Sequence, residues 1–173
     1  HPCQALADFF TIREYRKDFK RLKFSYIGDG NNVVHSLMLT AAKLGAGMYV
    51  ATPEHYAPSA DVVKRAREIA GDTGATIVVG TDPMEAANHA DAIYTDTWTS
   101  MGQETEAEQR RAIFKPYQVT RELFSHAKPD ALFMHCLPAH RGEEVVDEVM
   151  DSKNSVVFQE AENRLHIQKA IML

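Results

Sequence analysis

The sequence predicts an α/β fold in which a doubly wound parallel sheet is flanked by helices in a single domain. Short runs rich in β-branched and aromatic residues alternate with longer runs of helical period, as in sheets with helical crossovers. The 173 residues suffice for one hydrophobic core. No internal repeat, low-complexity tract or linker divides them, so we expect one Rossmann-like domain.

The strands are predicted from apolar runs bounded by turn residues. A sixth strand is possible at Ser155 to Phe158. The five main strands are Lys23 to Ile27, Met48 to Thr52, Thr76 to Gly80, Ala92 to Thr95, and Leu132 to His135.

Helices are predicted between these strands and before the first. Further crossover helices are expected at Asp61 to Ala70 and Pro83 to Ala90, the second with Asp82 as N-cap. A helical segment from Gln4 to about Phe19 precedes the sheet. The crossover after the first strand has apolar residues at helical spacing and a glycine C-cap, namely Val34, Leu37, Met38, Ala41, Leu44 and Gly45.

Composition excludes several classes of partner. The net charge of −5, with acids and bases interspersed, provides no basic stripe, so nucleic acid is not expected as a partner. No apolar stretch approaches the roughly 20 residues that span a bilayer, and no membrane partner is expected. Cys3 and Cys136 form no CxxC pair, which favours a reducing compartment over a disulfide framework.

Ligands of open α/β sheets bind beyond the carboxyl ends of the strands, and three loops there carry polar side chains. The first loop begins with Gly28-Asp29-Gly30 but has Val33 where a dinucleotide fingerprint needs glycine. Asn31 and Asn32 at the following helix N-terminus could donate to a carboxylate or could cap the helix.

The second loop runs from Asp96 to Gly102. Asp96 at the strand tip could receive a substrate ammonium, or it could cap the next turn. The third loop, His135 to Gly142, contains Cys136. Nearby cations could lower the pKa of this thiol, although a lone cysteine is more often a small buried hydrophobe.

Metal binding is not predicted. His135, Cys136 and His140 cluster in sequence, but no second Cys or His cluster completes a zinc site.

Four motifs, in order and spread along the whole chain, resemble the aspartate/ornithine carbamoyltransferase family. The third motif, His135-Cys136-Leu137-Pro138, reads HCLP where aspartate-specific members have HPLP. The second motif, Asp96 to Gly102, contains an SMG loop that those members lack. The resemblance therefore favours the ornithine-specific branch. The motifs are His1-Pro2-Cys3-Gln4 (HPxQ), Asp96 to Gly102 (DxxxSMG), His135-Cys136-Leu137-Pro138 (HCLP), and Glu160-Ala161-Glu162-Asn163-Arg164.

The resemblance implies transfer of the carbamoyl group of carbamoyl phosphate to the δ-amine of L-ornithine, giving citrulline and phosphate, without a cofactor. It implies catalytic roles for Cys136 and Asp96. It assigns ornithine binding to Asn32, Asp96, Ser100 and Met101, with Met101 acting through its backbone. It assigns carbamoyl-phosphate binding to His1, Gln4, Cys136, Leu137 and Arg164.

Elementary chemistry agrees with these roles. The attacking amine must lose a proton, since an alkylammonium has a pKa near 10.4 by analogy with lysine. Cys136 as thiolate beside Asp96 is the candidate acceptor, while His1 and Arg164 would stabilise charge on the carbamoyl oxygen.

The family's SxRT phosphate-binding motif is not in these 173 residues. The chain starts at His1 and ends in an apolar run, so we expect a piece of a longer protein that is nearly inactive alone. We expect residues 1–20 to bridge from a carbamoyl-phosphate half, 21–160 to form the ornithine-binding domain, and 161–173 to start a returning helix. The resemblance further implies a homotrimer, cytoplasmic or in an organelle matrix, acting in arginine synthesis or degradation.

Rival hypotheses remain at this point. The chain could be a dinucleotide-binding module, a non-catalytic interaction domain, or a carbamoyltransferase for putrescine or an acylated ornithine.

Overall fold

A computed structural model describes residues 1–99 and 107–173. These residues form a five-stranded, wholly parallel sheet with helices on both faces, as predicted. The strands are β1 (Lys23–Ile27), β2 (Gly47–Ala51), β3 (Thr76–Gly80), β4 (Ala92–Thr95) and β5 (Leu132–His135). Four of these match the predicted bounds, and β2 is shifted by one residue.

The helices follow the predicted alternation. Gly45 closes α2 with φ 74°, a left-handed conformation that glycine adopts without steric cost, and Asp82 caps α4 by accepting from the backbone N–H of Met84. Short 3₁₀ helices lie at Glu54–Tyr56 and Lys115–Tyr117. The helices are α1 (Pro2–Tyr15), α2 (Asn32–Leu44), α3 (Ala60–Thr73), α4 (Pro83–Ala87), α5 (Ala107–Phe114), α6 (Arg121–Ser125), α7 (Asp147–Met150) and α8 (Val157–Met172).

The possible sixth strand is wrong. Ser155 makes one isolated bridge with Phe133, and α8 begins two residues later at Val157. Val156 and Val157 are buried in the core, whereas Phe158 is exposed. Two adjacent buried residues followed by an exposed one fit the start of a helix. Such a short apolar run does not distinguish a strand from the first turn of a buried helix.

Alternate residues of β1, β2, β4 and β5 fill two cores, one on each face of the sheet, whereas the edge strand β3 contributes only to the first. Phe24 and Tyr26 of β1 and Tyr94 of β4 pack on the side of α1, α2 and α3. Ile27, Ile93 and Phe133 pack on the opposite side with α4, α6 and α7. The sheet is thus buried on both faces, which explains why its strands read as continuous apolar runs.

The strand order is β3-β2-β1-β4-β5. The chain therefore moves outward from β1 to β3, returns, and continues on the other side of β1 with β4. This reversal opens a crevice between the carboxyl ends of β1 and β4, where open α/β sheets bind ligands.

The helix α8 packs along α1, so the two ends of the chain lie together. Asn163 of α8 donates hydrogen bonds to Thr11 Oγ1 at 2.9 Å and to Glu14 Oε2 at 2.7 Å. Within the described residues, no helix combines the length and apolar character needed to cross a membrane.

Candidate active site at the carboxyl edge of the sheet

Asp96 is the meeting point of the three loops. β4 pairs with β1 on one side and β5 on the other, so the residue after β4 lies between the loops that follow both neighbours. Asn31 Nδ2 donates to Asp96 Oδ2 at 2.9 Å, and Cys136 Sγ donates to Asp96 Oδ1 at 3.2 Å. The backbone N–H of Thr97 also donates to Oδ1 at 2.8 Å.

The amide that reaches Asp96 belongs to Asn31, whereas the predicted binding residue was Asn32. Asn31 Oδ1 caps α2 by accepting from the N–H of Val33 at 2.9 Å, and its Nδ2 remains free to donate to Asp96. Asn31 thus serves as both cap and carboxylate partner, the two possibilities left open by the sequence. Asn32 is the first residue of α2 and is exposed.

Cys136 is not the activated thiol expected from its sequence neighbours. Burial and the adjacent Asp96 carboxylate raise the pKa of the Cys136 thiol well above its usual range. The cations expected nearby point elsewhere, since Arg141 pairs with Asp147 and Asp151 on the surface. Cys136 and Asp96 therefore carry one negative charge between them, held on the carboxylate.

A buried chain of hydrogen bonds shapes the loop after Cys136. The backbone N–H of Leu137 donates to His135 Nδ1 at 2.8 Å, so His135 Nε2 carries the ring proton and donates to Glu144 Oε1 at 3.1 Å. Leu137 has φ 55°, a conformation that L-residues rarely adopt. His135 and Glu144 are fully buried, and they hold this strained turn at the site.

Two of the five residues predicted to contact carbamoyl phosphate, Gln4 and Arg164, lie together in a second cluster. Gln4 is buried, and its Oε1 accepts from Arg164 Nη1 at 2.8 Å. Its Nε2 donates to Asp8 Oδ1 at 2.7 Å and to Glu160 Oε1 at 3.3 Å. His1 is exposed at the N-cap position of α1.

Tyr94 separates the two clusters. Its phenol is fully buried, and burial together with the nearby charges of Asp8, Glu160 and Asp96 raises its pKa well above the usual value. The phenol is therefore a neutral hydroxyl that lies between Asp96 and the Gln4 cluster. Two residues predicted to bind ornithine, Ser100 and Met101, lie outside the described residues.

The metal grouping weighed from sequence is not assembled. His135 uses both ring nitrogens within the protein, so it cannot ligate an ion beside Cys136. Ligand atoms of His140, Glu143 and Glu144 lie within 4.8 Å of one another, but Glu143 already accepts from Arg111 Nε at 2.9 Å.

A buried ion pair that no sequence pattern indicated lies under the first loop. Arg110 Nη2 donates to Asp29 Oδ2 at 2.6 Å, and its Nε donates to the Trp98 carbonyl at 2.6 Å. The Arg110 guanidinium also lies 4.7 Å from the Tyr56 ring centroid. The pair joins the loops after β1 and β4, although its partners are 81 residues apart in sequence.

Gly30 owes its place in the first loop to packing and leaves no room for a dinucleotide phosphate. A Cβ at this position would lie 2.3 Å from the Tyr56 carbonyl oxygen, and the Gly30 N–H donates to that oxygen at 2.8 Å. The backbone N–H that would face a pyrophosphate is thus already used. This argues against the dinucleotide-binding hypothesis.

The fold and this edge define an α/β domain with a cluster of polar side chains at its topological switch point, where domains of this class bind ligands. Residues 20–173 match the family model described as aspartate/ornithine carbamoyltransferase, Asp/Orn binding domain. The chain therefore belongs to the aspartate/ornithine carbamoyltransferase family.

Its relatives match at high identity but are longer. An ornithine carbamoyltransferase from Thermococcus kodakarensis is 60% identical over 172 residues, which are 99% of this chain and 55% of the relative. The chain thus spans about half the length of the curated relatives it matches.

Solved structures agree with the fold. The ornithine carbamoyltransferase from Pyrococcus furiosus superposes with a TM-score of 0.96 at 59% identity, covering 99% of this chain and 55% of that one. A mutant N-acetyl-L-ornithine transcarbamylase superposes at 0.87 with 28% identity, again over 99% of this chain and 55% of that one.

Proposed function

We propose that this chain is the ornithine-binding part of an ornithine carbamoyltransferase. The single observation that carries the proposal is the convergence of Asn31, Asp96 and Cys136 at the β1/β4 switch point. A buried carboxylate with an amide donor and a thiol donor provides one negative charge for an ammonium group. The 60% identity to a named ornithine carbamoyltransferase supports the substrate class.

In the proposed reaction the neutral δ-amine of ornithine attacks the carbamoyl carbon. A nitrogen–carbon bond forms, the bond from that carbon to the phosphate oxygen breaks, and phosphate leaves. Asp96 binds the α-ammonium of ornithine, and Asn32 at the start of α2 faces the α-carboxylate in the field of the helix dipole. Ser100 and Met101 are proposed to bind ornithine as well, on the family resemblance alone.

Cys136 is proposed to take part in removing the amine proton once ornithine is bound. The thiol is a poor base in the free protein because its thiolate would add a second negative charge beside Asp96. A bound substrate ammonium offsets the charge of Asp96 and removes that penalty, so that the thiol releases its proton to solvent when ornithine binds and the thiolate then accepts the proton of the attacking amine. His1, Gln4, Leu137 and Arg164 are proposed to contact the carbamoyl phosphate.

The complete enzyme is proposed to be a cytoplasmic homotrimer that uses no cofactor. These features rest on the family resemblance. Size-exclusion chromatography with light scattering on a chain that carries the SxRT half would test the trimer.

A two-part binding and turnover experiment tests the function. Calorimetry of the 173-residue chain should detect L-ornithine and should detect neither NAD nor putrescine, because only ornithine has an α-amino acid group for this site. Citrulline formation should require the chain that also carries the SxRT half, with almost no turnover by the 173 residues alone. Binding of NAD in place of ornithine, or robust turnover by the 173 residues, would contradict the proposal.

The second candidate substrate is N-acetyl-L-ornithine, because the chain is also similar in structure to an N-acetyl-L-ornithine transcarbamylase. The higher identity to ornithine enzymes favours the free amino acid. Competition between ornithine and N-acetylornithine in the same assay distinguishes the two.

A further inference from the structure

Two carboxyl groups that form no salt bridge within the described residues are buried beside the Gln4 amide. Asp8 of α1 and Glu160 of α8 are both fully inaccessible to solvent. Gln4 Nε2 donates to both of them, at 2.7 Å to Asp8 Oδ1 and at 3.3 Å to Glu160 Oε1, and so bridges the two side chains. Two isolated carboxylates in such a position would carry a large desolvation cost.

The donors around the pair differ between its two members. Both oxygens of Glu160 accept hydrogen bonds, Oε1 from Gln4 and Oε2 from the backbone N–H of His135 at 3.1 Å. Asp8 accepts from Gln4 through Oδ1, while Asp8 Oδ2 has no hydrogen-bond partner among the described polar groups that can donate. Asp8 Oδ2 is therefore the oxygen of the pair best placed to carry a proton, because it accepts no hydrogen bond that a proton would displace.

The charged and polar groups around this pair favour one bound proton. Burial raises the pKa of Asp8 to about 7, and burial together with Asp8 raises the pKa of Glu160 well above its usual value. The groups facing the pair are the Arg164 guanidinium on α8, the Tyr94 phenol on β4 and the Cys136 thiol on β5. Arg164 is exposed and donates to Gln4, so it neutralises the pair only in part.

The pair decides which way the Gln4 amide faces. A glutamine amide can rotate by half a turn with little change in shape, and only its partners choose the orientation. With two acceptors on one side, the NH₂ group must face Asp8 and Glu160. Gln4 Oε1 then faces Arg164 and can also accept a hydrogen bond from a ligand amide.

We propose that Asp8 and Glu160 are positioning residues that share one proton at neutral pH and lock the Gln4 amide with its oxygen toward the carbamoyl-phosphate side. This inference rests on the proposed function for the role of Gln4 in substrate binding. The locked amide itself is a property of the 173-residue chain.

Two amide substitutions distinguish this arrangement from simple packing. In Asp8→Asn the new Nδ2 takes the place of the protonated Oδ2, and the remaining oxygen still accepts from Gln4. In Glu160→Gln the new NH₂ group must face a donor, either the Gln4 NH₂ group or the His135 N–H. If the oxygen keeps its bond to the His135 N–H, the Gln4 amide loses a partner or reverses. The matched control is Glu162→Gln, an exposed carboxylate on the same helix.

The kinetic experiment uses the chain that includes the SxRT half. Glu160→Gln should raise the KM for carbamoyl phosphate roughly 10- to 100-fold, the range for one hydrogen bond to a charged group, with a smaller effect on the KM for ornithine. Asp8→Asn should change it several-fold less, and Glu162→Gln should leave it unchanged. Equal effects of Asp8→Asn and Glu160→Gln, or no effect of Glu160→Gln in a folded protein, would overturn the proposal.

A second measurement needs neither turnover nor a variant. Carbon-13 spectra of the wild-type 173-residue chain at pH 6 should show one of the two carboxyl carbons protonated and the other ionised, with slowed exchange of the Gln4 side-chain amide protons. Two ionised carboxylates at pH 6 would overturn the proton sharing even if Glu160→Gln fails to fold. If the spectra agree but the complete enzyme forms no citrulline, the proposed function fails and the locked amide stands.

Discussion

Single residues set the charge of the site. Asp96 accepts hydrogen bonds from an amide, a thiol and a backbone N–H, and these donors stabilise its carboxylate without neutralising it. The site therefore keeps a negative charge that suits an ammonium group. The cysteine beside this carboxylate is a hydrogen-bond donor, and we propose that it becomes a base only when a cation is bound.

The reactivity of Cys136 follows from this arrangement. At pH 8 we expect iodoacetamide to alkylate Cys136 more slowly than Cys3, since Cys136 is held as a partly buried thiol with a raised pKa. Asp96→Asn should speed the alkylation of Cys136, because removing the carboxylate charge lowers the pKa of the thiol. Mass spectrometry of each cysteine peptide over time measures both rates, and Cys3 is the internal control. An unchanged Cys136 rate in Asp96→Asn would contradict the coupling.

The Asp29–Arg110 pair is a second feature at the residue scale. Arg110→Met should lower the free energy of unfolding by about 3–5 kcal/mol, because it leaves the Asp29 carboxylate buried without its partner. Arg65→Met, which removes an exposed ion pair with Glu68, should cost less than about 1 kcal/mol. Urea denaturation followed by circular dichroism measures both variants. Small losses of unfolding free energy of similar size in both variants would contradict a large stabilising contribution from the Asp29–Arg110 pair.

At the scale of elements, helix termini connect the fold to the site. Asn31 begins α2 and contacts Asp96 with the same amide, so one residue links the stability of a helix to the charge of the site. The loop after β5 is held in a similar way, by His135 and Glu144 beneath Leu137.

Substitutions at Asn31 separate its two roles. Asn31→Ser retains a capping oxygen but is too short to reach Asp96, whereas Asn31→Ala loses both contacts. We expect Asn31→Ala to be less stable than Asn31→Ser by about 1 kcal/mol, the usual contribution of an N-cap. Both variants should weaken ornithine binding to a similar extent, as measured by calorimetry. Full ornithine affinity in Asn31→Ser would show that only the cap matters.

At the scale of the whole molecule, α1 and α8 bring the two ends of the sequence to one place. This contact buries Asp8 and Glu160 together and orients Gln4 toward Arg164. The second cluster therefore exists only when both ends are folded against the sheet. Its stability should depend on pH.

The sign of that pH dependence follows from the raised pKa of Asp8. A carboxyl group whose pKa is higher in the folded state binds more protons there, so stability is greatest below the unfolded pKa near 4 and falls as pH rises toward about 7. Urea midpoints between pH 4.5 and 7.5 should therefore decrease more steeply in the wild type than in Asp8→Asn. Parallel midpoints for the two proteins would contradict a raised pKa at Asp8.

Much of the fold could be predicted because local patterns specify it. The β-branched runs predicted four strands with the observed bounds, and Gly45 and Asp82 marked a helix end and a helix start through short-range backbone chemistry. The prediction of a strand at Ser155 to Phe158 was wrong because a short apolar run occurs both in strands and in the first turn of a buried helix.

The sequence by itself determined the alternating α/β architecture, the family and the three loops that carry chemistry, because these depend on neighbours within a few residues. Only the tertiary structure decided that Asn31 rather than Asn32 reaches Asp96, that Cys136 is a donor with a raised pKa, and that Asp29 pairs with Arg110. Hydrogen bonding and burial between residues 40 to 81 positions apart set these properties, and no local pattern encodes such distances.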